Sequence, residues 1–348
     1  MRLDAISSAL PDARLTQPDV WELMRSSGVI DRIRPGSARL LEKVLHGDSG
    51  IDARHFGHPD LPSVFDSDPD SLSRAFEQAA PALATQALSS ALSSRGLEPN
   101  DLDAILVCTC TGYLCPGISS HVAEKLGMKP EVFLQDLVGL GCGAAIPMLR
   151  SAHGFLAANP RAHVACIAVE VCSAAFYIDD DPGQLISLCL FGDAANATIW
   201  GGQESGVNGP ELGGFDTVHR PEFREQIRFV HEGGGFLKNQ LSPDVPTLSA
   251  DAVGVLQKRR GLKGVDPVMI SHGGGRDVLN ALTKQCGREQ GATFLEPSRE
   301  ILKRCGNVSS PAVMMALEHR LATNGLPGKP LWLTTFGAGF SAHSAWLG

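Results

Sequence analysis

The sequence predicts an α/β fold built from repeated strand–helix units. Two continuous apolar runs, residues 103–110 and 164–170, have the length and composition of buried strands. Apolar side chains recur at helical spacing between them, and they are Ile146, Leu149, Ala152 and Phe155. A strand–helix–strand connection implies parallel strands in one sheet. The second half of the chain repeats the order of strand, helix, glycine turn and strand.

Length and composition indicate a protein with a large core. The chain has 348 residues, of which 43% are hydrophobic and 20% are charged, so it exceeds one ordinary domain. The glycine-rich, weakly hydrophobic stretch 201–214 is the best boundary between two halves. Residues 1–50 are expected to form helix and loop.

Two helices in the first and second halves are predicted from their start signals. The Ser-Asp-Pro-Asp sequence at residues 67–70 begins a helix, and Pro81 either kinks this helix or begins a new one. The glycine-led turn at residues 305–310 leads into an apolar helix that begins near residue 312.

Cys142 stands between two glycines at the point where the helix of residues 146–155 should begin. A thiol in this position lies beside unpaired N–H groups and the positive end of the helix dipole, which favours the thiolate. The flanking glycines allow a sharp turn and the close approach of a substrate. The alternative is a buried structural cysteine, since free cysteine is among the most buried residue types.

Two later glycine turns also present a polar side chain where a strand gives way to a helix. His272 ends the short strand of residues 269–271, and Asn307 lies in the turn of residues 305–310. Taken singly, each is typical of a capping or hydrogen-bonding residue. Together with Cys142 they indicate a catalytic set, because a nucleophilic cysteine needs a base or ion-pair partner and an anionic intermediate needs N–H donors.

The order of these segments resembles that of the thiolase-fold condensing enzymes, and within them the type III polyketide synthases of the chalcone and stilbene synthase family. The resemblance runs from about Ile51 to the C-terminus. It rests on five segments, which are residues 141–142, 190–195, 272–276, 306–310 and 336–339.

The resemblance implies a thiolase fold, in which two similar βαβαβ-type halves pack as a layered α-β-α-β-α sandwich. Residues 1–205 would form the N-terminal half, which carries the nucleophilic cysteine. Residues 206–348 would form the C-terminal half, which carries the catalytic histidine and asparagine.

The resemblance also implies a role for each residue of the catalytic set. Cys142 would take an acyl group from a thioester carrier, and His272 would hold the thiolate as an ion pair. His272 and Asn307 would then stabilise the enolate that malonyl thioester forms when it loses CO₂. The expected enzyme is an acyltransferase that performs decarboxylative Claisen condensation and possible cyclisation to a pyrone or resorcinol-type product.

Further residues would bind the substrate. Phe191 matches the family's aromatic residue over the site entrance, and the less favoured alternative is a phenylalanine that packs in the core. The remaining expected substrate-binding residues are mostly small, which favours a long acyl starter or a bulky polyketide: Cys110, Thr111, Gly143, Cys172, Ala175, Ser309 and Ala338. The resemblance implies acyl-CoA and malonyl-CoA as substrates, and no cofactor is expected.

Several positions depart from the plant enzymes. The cations that grip coenzyme A phosphates there are replaced here by Leu41, Val44 and Asp48, with Lys43 and Arg54 nearby. An acyl carrier protein is therefore an alternative donor to coenzyme A. A loop at residues 115–117 matches the one by which the family forms homodimers, so a homodimer is expected.

Other functions are weighed against this one. A single-round 3-oxoacyl synthase of the ketoacyl synthase III kind is the alternative within the fold, and an inactive binding subunit is the alternative from another class. A cysteine hydrolase is disfavoured, because its cysteine usually lies between unlike domains. Cys108, Cys110 and Cys115 lack the histidine pair that would complete a zinc set, and the acidic loop at residues 179–181 is typical of a solvated turn.

Charge and hydropathy exclude other partners. The net charge of −8 and the lack of a Lys/Arg-rich run argue against nucleic acid. No stretch approaches 18 uninterrupted apolar residues, so no membrane span is expected. Nine cysteines without a Cys-x-x-Cys pair are typical of a reduced, cytoplasmic protein.

Overall fold

Thirteen strands and ten α-helices make up the part of the chain that the computed structural model describes, residues 1–232, 234–260, 267–287, 294–326 and 328–348. The strands are β1 (Arg2–Ala9), β2 (Ala13–Thr16), β3 (Ala53–Phe56), β4 (Ala104–Cys108), β5 (Phe133–Leu137), β6 (His163–Glu170), β7 (Ala194–Gly201), β8 (Leu212–His219), β9 (Ile227–Glu232), β10 (Phe236–Leu241), β11 (Val268–Ser271), β12 (Leu331–Gly337) and β13 (Ser341–Leu347). The helices are α1 (Gln17–Ser26), α2 (Pro35–His46), α3 (Pro69–Arg95), α4 (Ile118–Lys125), α5 (Ala145–Ala158), α6 (Pro182–Leu190), α7 (Val245–Arg259), α8 (Arg276–Cys286), α9 (Glu296–Cys305) and α10 (Ala312–Asn324).

Two mixed sheets share one topology. The first has the order β1-β7-β6-β4-β5 and the second has the order β11-β12-β13-β8. In the first sheet β4 and β6 are parallel, and β7 runs antiparallel to both β6 and β1. In the second sheet β11 and β12 are parallel, and β13 runs antiparallel to both β12 and β8. The predicted similarity of the two halves is thus confirmed, while their boundary after residue 205 stays a prediction.

The sheets are separated by two buried helices, and each sheet is covered on its outer face by further helices. Side chains of β4 alternate between two cores, because successive residues of a strand point to opposite faces. Leu106 packs with α5 and α10 in the central core, while Ile105 and Val107 pack against α3 and α4. Helices α7 and α8 cover the outer face of the second sheet. The result is the predicted α-β-α-β-α layering.

The N-terminal segment differs from the prediction. Residues 1–50 do contain α1 and α2, but they also form β1 and β2, and β1 pairs along its whole length with β7. Every second residue at the start of β1 is buried, as Leu3 and Ala5 are. The intervening polar residues and the scarcity of β-branched side chains make this strand hard to recognise in the sequence.

Most predicted element starts agree with the structure. Asp68 caps α3 by accepting a hydrogen bond from the N–H of Ser71, as the start signal predicted. Helix α3 continues through Pro81, so the alternative of a new helix at that proline is wrong. Among the described residues no helix is long and apolar enough to cross a membrane.

Candidate active site

Cys142 lies in a single turn of 3₁₀ helix, Gly141–Gly143, immediately before α5. Gly141 has a φ of +57°, and a Cβ at this position would lie 3.0 Å from the backbone nitrogen of Ala338. A Cβ at Gly337 would lie 2.5 Å from the nitrogen of Gly143. The loop after β12 therefore packs directly on the turn that holds the cysteine. Two predicted site residues take part in this packing: Ala338 lies against Gly141, and Gly143 lies against Gly337.

The Cys142 sulfur is surrounded by polar side chains. The hydroxyl of Ser309 donates to it over 3.2 Å, and the Cys110 thiol and the His272 ring are also within hydrogen-bonding reach. Cys110 foremost, then His272 and Ser309, lower the pKa of Cys142 well below its usual value, although burial acts in the opposite direction. Cys142 is 7% exposed. The structure thus brings together a thiolate, an imidazole and two further donors.

The source of this activation differs from the sequence prediction in one respect. The prediction made Cys142 the first residue of the helix and assigned its activation to the helix dipole, and the resemblance added an ion pair with His272. Helix α5 begins three residues later, at Ala145, and the groups that lower the pKa of Cys142 are side chains from other elements. His272 was the expected partner, whereas Cys110 and Ser309 lie far from Cys142 in the sequence, so local periodicity could not indicate their contact with the sulfur.

His272 follows β11, and its backbone N–H donates to Thr334 O over 3.0 Å. The edge of its ring packs against Phe336 with 5.0 Å between ring centroids. The Nδ1 atom is buried and has no hydrogen-bond partner among the described residues. Packing rather than hydrogen bonding at Nδ1 therefore orients the imidazole beside Cys142.

Both ends of the Asn307 side-chain amide are held in place. Its Oδ1 accepts the backbone N–H of Ser309 over 2.9 Å, and its Nδ2 donates to Gly274 O over 3.1 Å. A side-chain amide has two N–H donors, and Gly274 O uses one of them. The fixed orientation leaves the second N–H as a donor for a substrate oxygen. The main chain of Asn307 also forms a parallel bridge with Phe191.

Glu170 is a central residue of the site that sequence reasoning missed. It is fully buried at the end of β6, and burial raises its pKa. Its two oxygens accept hydrogen bonds at 2.6–3.2 Å from the side chains of Thr109, Thr111 and Ser310 and from the backbone of Cys110 and Thr111. Ser309 Oγ also lies 3.2 Å from Glu170 Oε1, so its one proton alternates between Glu170 and the Cys142 sulfur. One carboxylate at the end of an otherwise apolar strand was the available signal, because a buried carboxylate requires several donors.

Phe191 and Cys172 pack against Cys142 on its other side. Phe191 is 8% exposed, and its carbonyl accepts a hydrogen bond of 2.7 Å from Arg54 Nη1. Cys172 opens a 3₁₀ turn, Cys172–Ala175, in which Ala175 is also buried. Two more predicted site residues therefore lie beside the sulfur, whereas Ala175 lies at the far end of its turn. Thr111 contacts Glu170 rather than Cys142.

Of the two cations that the sequence places near the expected entrance, Lys43 is exposed, but Arg54 is not available to a phosphate. Arg54 is fully buried, and burial lowers its pKa to about 10. Its Nη1 donates to Leu188 O and Phe191 O, each over 2.7 Å, and its Nε donates to Gln17. Arg54 therefore braces the Phe191 loop from inside. Arg54 therefore does not supply the missing grip on the coenzyme A phosphates.

At the expected entrance, Asp48 is 87% exposed and forms an ion pair of 3.0 Å with Arg276, which follows the glycine turn of His272. Arg276 is thus the arginine that links α8 to the segment after α2. Among the described residues, no cluster of histidine, cysteine and carboxylate side chains has the arrangement of a metal site.

Comparisons with known proteins agree with this geometry. The family model described as "FAE1/Type III polyketide synthase-like protein" matches residues 11–206, more than half of the chain. The 1,3,6,8-tetrahydroxynaphthalene synthase of Streptomyces peucetius subsp. caesius is 29% identical over 97% of this chain and 90% of its own length. The 3,5-dihydroxyphenylacetyl-CoA synthase of Streptomyces toyocaensis is 28% identical over 86% of this chain and 80% of its own.

The fold is shared with solved structures. The crystal structure of 1,3,6,8-tetrahydroxynaphthalene synthase from Streptomyces coelicolor A3(2), a bacterial type III polyketide synthase, covers 100% of this chain and 99% of its own. The TM-score is 0.83 at 24% sequence identity. At this identity the match establishes the fold, and the chemistry must be argued from the residues of this chain.

Proposed function

Because the chain belongs to the FAE1/type III polyketide synthase-like family, whose members transfer acyl groups, we propose that it extends an acyl starter held on Cys142. The extender is a malonyl thioester, and the reaction is decarboxylative Claisen condensation. The observation that carries this function is the convergence of His272, Ser309 and Cys110 on the Cys142 sulfur, with the oriented amide of Asn307 nearby.

Loading begins with the thiolate. Cys142 attacks the carbonyl carbon of the starter thioester, and the carrier thiol leaves as the tetrahedral intermediate collapses. A lowered pKa keeps the nucleophile ionised at neutral pH, so no proton needs to be removed in this step. His272 lies against the sulfur and stabilises its charge while the substrate enters.

Decarboxylation then generates the carbon nucleophile. Loss of CO₂ from the malonyl thioester leaves an enolate whose charge lies on the thioester oxygen. The free N–H of Asn307 and the imidazole of His272 are the donors for that oxygen. Preorganised donors of this kind are worth most in a buried site, where water does not compete.

Condensation completes one round. The enolate carbon attacks the carbonyl of the Cys142 thioester, a carbon–carbon bond forms, and the Cys142 thiolate leaves. The acyl chain is then longer by two carbons and is attached to the carrier of the extender. Phe191 packs over the sulfur and excludes water from the carbanion.

The names of the relatives indicate a class of product. Tetrahydroxynaphthalene synthase, dihydroxyphenylacetyl-CoA synthase and the phloroglucinol synthase of Pseudomonas fluorescens strain Pf-5 are all named for hydroxylated aromatic compounds. We therefore propose several rounds of extension followed by cyclisation to a pyrone or resorcinol-type ring. We also propose a cytoplasmic location, because a reactive thiolate must stay reduced and the cytosol keeps thiols reduced.

The thioester carrier is coenzyme A or an acyl carrier protein. Leu41 is buried in α2, Asp48 is an anion, and Arg54 is bound internally, so none of the three can hold a phosphate. Parallel assays with malonyl-CoA and with malonyl-acyl carrier protein distinguish the two donors by their kcat/KM values.

A homodimer is part of the same proposal. Strand β5 is the edge of the first sheet and bonds to β4 alone. Apolar side chains are exposed around this edge: Tyr113 is 73% exposed, Phe133 47% and Val138 52%. An exposed apolar strand edge is a ready template for pairing with another chain, and a second copy of this chain fits it because the loop at residues 115–117 lies in the same region.

Incubation with radiolabelled malonyl-CoA and a panel of acyl-CoA starters tests the function. We expect release of labelled CO₂ together with products extended by several two-carbon units. Extension by a single unit would identify a 3-oxoacyl synthase. If neither malonyl-CoA nor malonyl-acyl carrier protein released CO₂, that result would contradict a condensing enzyme.

A further inference from the structure

A second thiol shares the hydrogen bonds of the nucleophile. Cys110 Sγ lies 3.3 Å from Ser309 Oγ, and the same Ser309 oxygen lies 3.2 Å from Cys142 Sγ. Cys110 Sγ also lies 3.4 Å from Glu170 Oε1 and within hydrogen-bonding reach of Cys142 itself. One thiol proton serves one of these acceptors at a time. The two sulfurs therefore face each other across a single hydroxyl group, and both are free thiols in this structure.

We infer that Cys110 and Cys142 form a reversible disulfide when a hydroperoxide oxidises the nucleophile. This modification lies outside the condensation chemistry and uses a residue that the reaction steps above leave unassigned. Cys142 is the sulfur that reacts first, because the thiolate is the form that attacks a hydroperoxide and the three other groups at the sulfur stabilise its charge. Cys110 is the resolving thiol.

The two steps balance without a further reactant. The Cys142 thiolate attacks one oxygen of hydrogen peroxide, the O–O bond breaks, and sulfenic acid and hydroxide result. The Cys110 sulfur then attacks the sulfenic sulfur, the S–O bond breaks, and the Cys110 proton leaves with the hydroxyl group as water. Two thiol sulfurs are oxidised by one electron each, and the peroxide is reduced by two electrons.

Position selects Cys110 over the other nearby thiol. Cys172 packs against Cys142, but no hydrogen bond joins it to Ser309 or Cys142 among the described contacts. A disulfide requires the sulfurs to approach to about 2.05 Å with Cβ atoms about 3.5–4.5 Å apart. Cys142 sits in a glycine-flanked turn and Cys110 lies just beyond the end of β4, so each side chain can rotate towards the other.

The bond would protect the nucleophile. A sulfenic acid that finds no thiol is oxidised further to sulfinic acid, which thiol reductants do not restore. Conversion to a disulfide stops this series of oxidations. The enzyme then cannot accept a starter until the disulfide is reduced. An acylated Cys142 has no free thiolate, so starter loading should prevent formation of the disulfide.

Mass spectrometry of the full-length wild-type protein tests this directly. The protein is treated with one equivalent of hydrogen peroxide, alkylated under denaturing conditions and digested without reductant. We expect a peptide pair joined through Cys110 and Cys142, which dithiothreitol separates and acyl-CoA pre-incubation suppresses. The inference would be overturned by a peptide pair in which Cys142 is joined to Cys172. It would also be overturned by Cys142 sulfinic acid in a protein whose Cys110 is still alkylated. This readout needs no polyketide synthesis, so it stands apart from the test of function.

A matched pair of variants extends the test. Cys110→Ser removes the resolving thiol with little change in size, and Cys286→Ser removes a buried thiol of the outer core near α7 and α8. Each variant is compared with its own activity before oxidation. After peroxide and then dithiothreitol, Cys286→Ser should recover most of its activity, whereas Cys110→Ser should recover almost none and should accumulate sulfinic acid at Cys142. Equal recovery by both variants would contradict the role of Cys110.

Discussion

Ser309 donates its hydroxyl to the sulfur of Cys142 over 3.2 Å, and it does so from a backbone conformation that side chains rarely adopt. Its φ is +58°, in the left-handed region. Such a conformation costs on the order of 1–3 kcal/mol and persists only where the surroundings enforce it. Asn307 enforces it here by accepting the Ser309 N–H through Oδ1. The two residues that flank Val308 therefore set each other's orientation towards the reacting sulfur.

The first prediction concerns the ionisation of Cys142. Its alkylation by iodoacetamide should remain fast at neutral pH and should slow only as the pH falls to its lowered pKa, because the thiolate is the reacting form. Among nine cysteines it should be labelled first, and acyl-CoA should protect it. Peptide mapping across pH measures this. A midpoint near the ordinary cysteine value of about 8.5 would contradict the geometry.

Variants of Cys110 provide the control for that profile. Its thiol is the largest of the influences that lower the pKa of Cys142. In Cys110→Ala the alkylation midpoint should move to higher pH, whereas Cys110→Ser keeps a donor and should move it less. Equal midpoints in the wild-type protein and the alanine variant would assign the lowered pKa to His272 and Ser309 alone.

The second prediction separates loading from decarboxylation. Cys142→Ala removes the nucleophile and leaves both donors to the enolate, so malonyl-CoA decarboxylation should survive in part while product formation stops. Asn307→Ala removes one of those donors and should slow decarboxylation by about 10²–10³-fold. Its effect on acylation of Cys142 should be smaller. Equal damage to both half-reactions would show that Asn307 acts mainly by holding Ser309.

The third prediction concerns the exposed edge of the first sheet. The wild-type protein should sediment as a dimer, because obligate interfaces bury more than about 2,000 Å² and resist dilution. Val138→Asp should weaken the dimer by placing a charge at the edge. Leu326→Asp is the matched control, since Leu326 is 50% exposed and Val138 is 52% exposed. An active wild-type monomer at nanomolar concentration would refute the interface.

The fourth prediction concerns product length. Ala175 is buried one residue before Phe176, which lines a cleft of about 580 Å³ together with Phe65, Tyr177 and Phe236. If Ala175 lines the space for the growing chain, the Ala175→Leu enzyme should make shorter products or fail to accept long starters. Its melting temperature should stay nearly unchanged. If Ala175 belongs to the core, overpacking should lower the free energy of unfolding by about 1–3 kcal/mol. Turnover of all substrates should then fall alike. Product mass profiles beside thermal melts decide between the two.

Much of the fold was readable from the sequence because its core elements are long and periodic. Strand β6 and helix α10 contain runs of apolar residues that local pattern identifies without ambiguity. Strand β1 was missed because its outward face is polar and its pairing partner, β7, lies nearly 200 residues away in the chain. Pairing over such distances leaves no local signal.

For the site too, local sequence features could be predicted, whereas contacts between distant elements could not. The three glycine turns located Cys142, His272 and Asn307, because each turn has a sequence signature of its own. The sequence did not indicate that Cys110 approaches the nucleophile, nor that Glu170 gathers hydroxyl groups from both halves of the protein. Those relations depend on where β4 and β6 end relative to the residue 305–310 turn, which only the packed structure specifies.

The central claim is that Cys142 carries the growing chain. The most direct measurement is to incubate the enzyme with one starter acyl-CoA in the absence of malonyl-CoA, quench it in acid, and locate the acyl group by peptide mass spectrometry. We predict a stoichiometric acyl group on the peptide that contains Cys142, and none in Cys142→Ala. An acyl group on Cys110 in the wild-type enzyme, with Cys142 still free, would contradict the account.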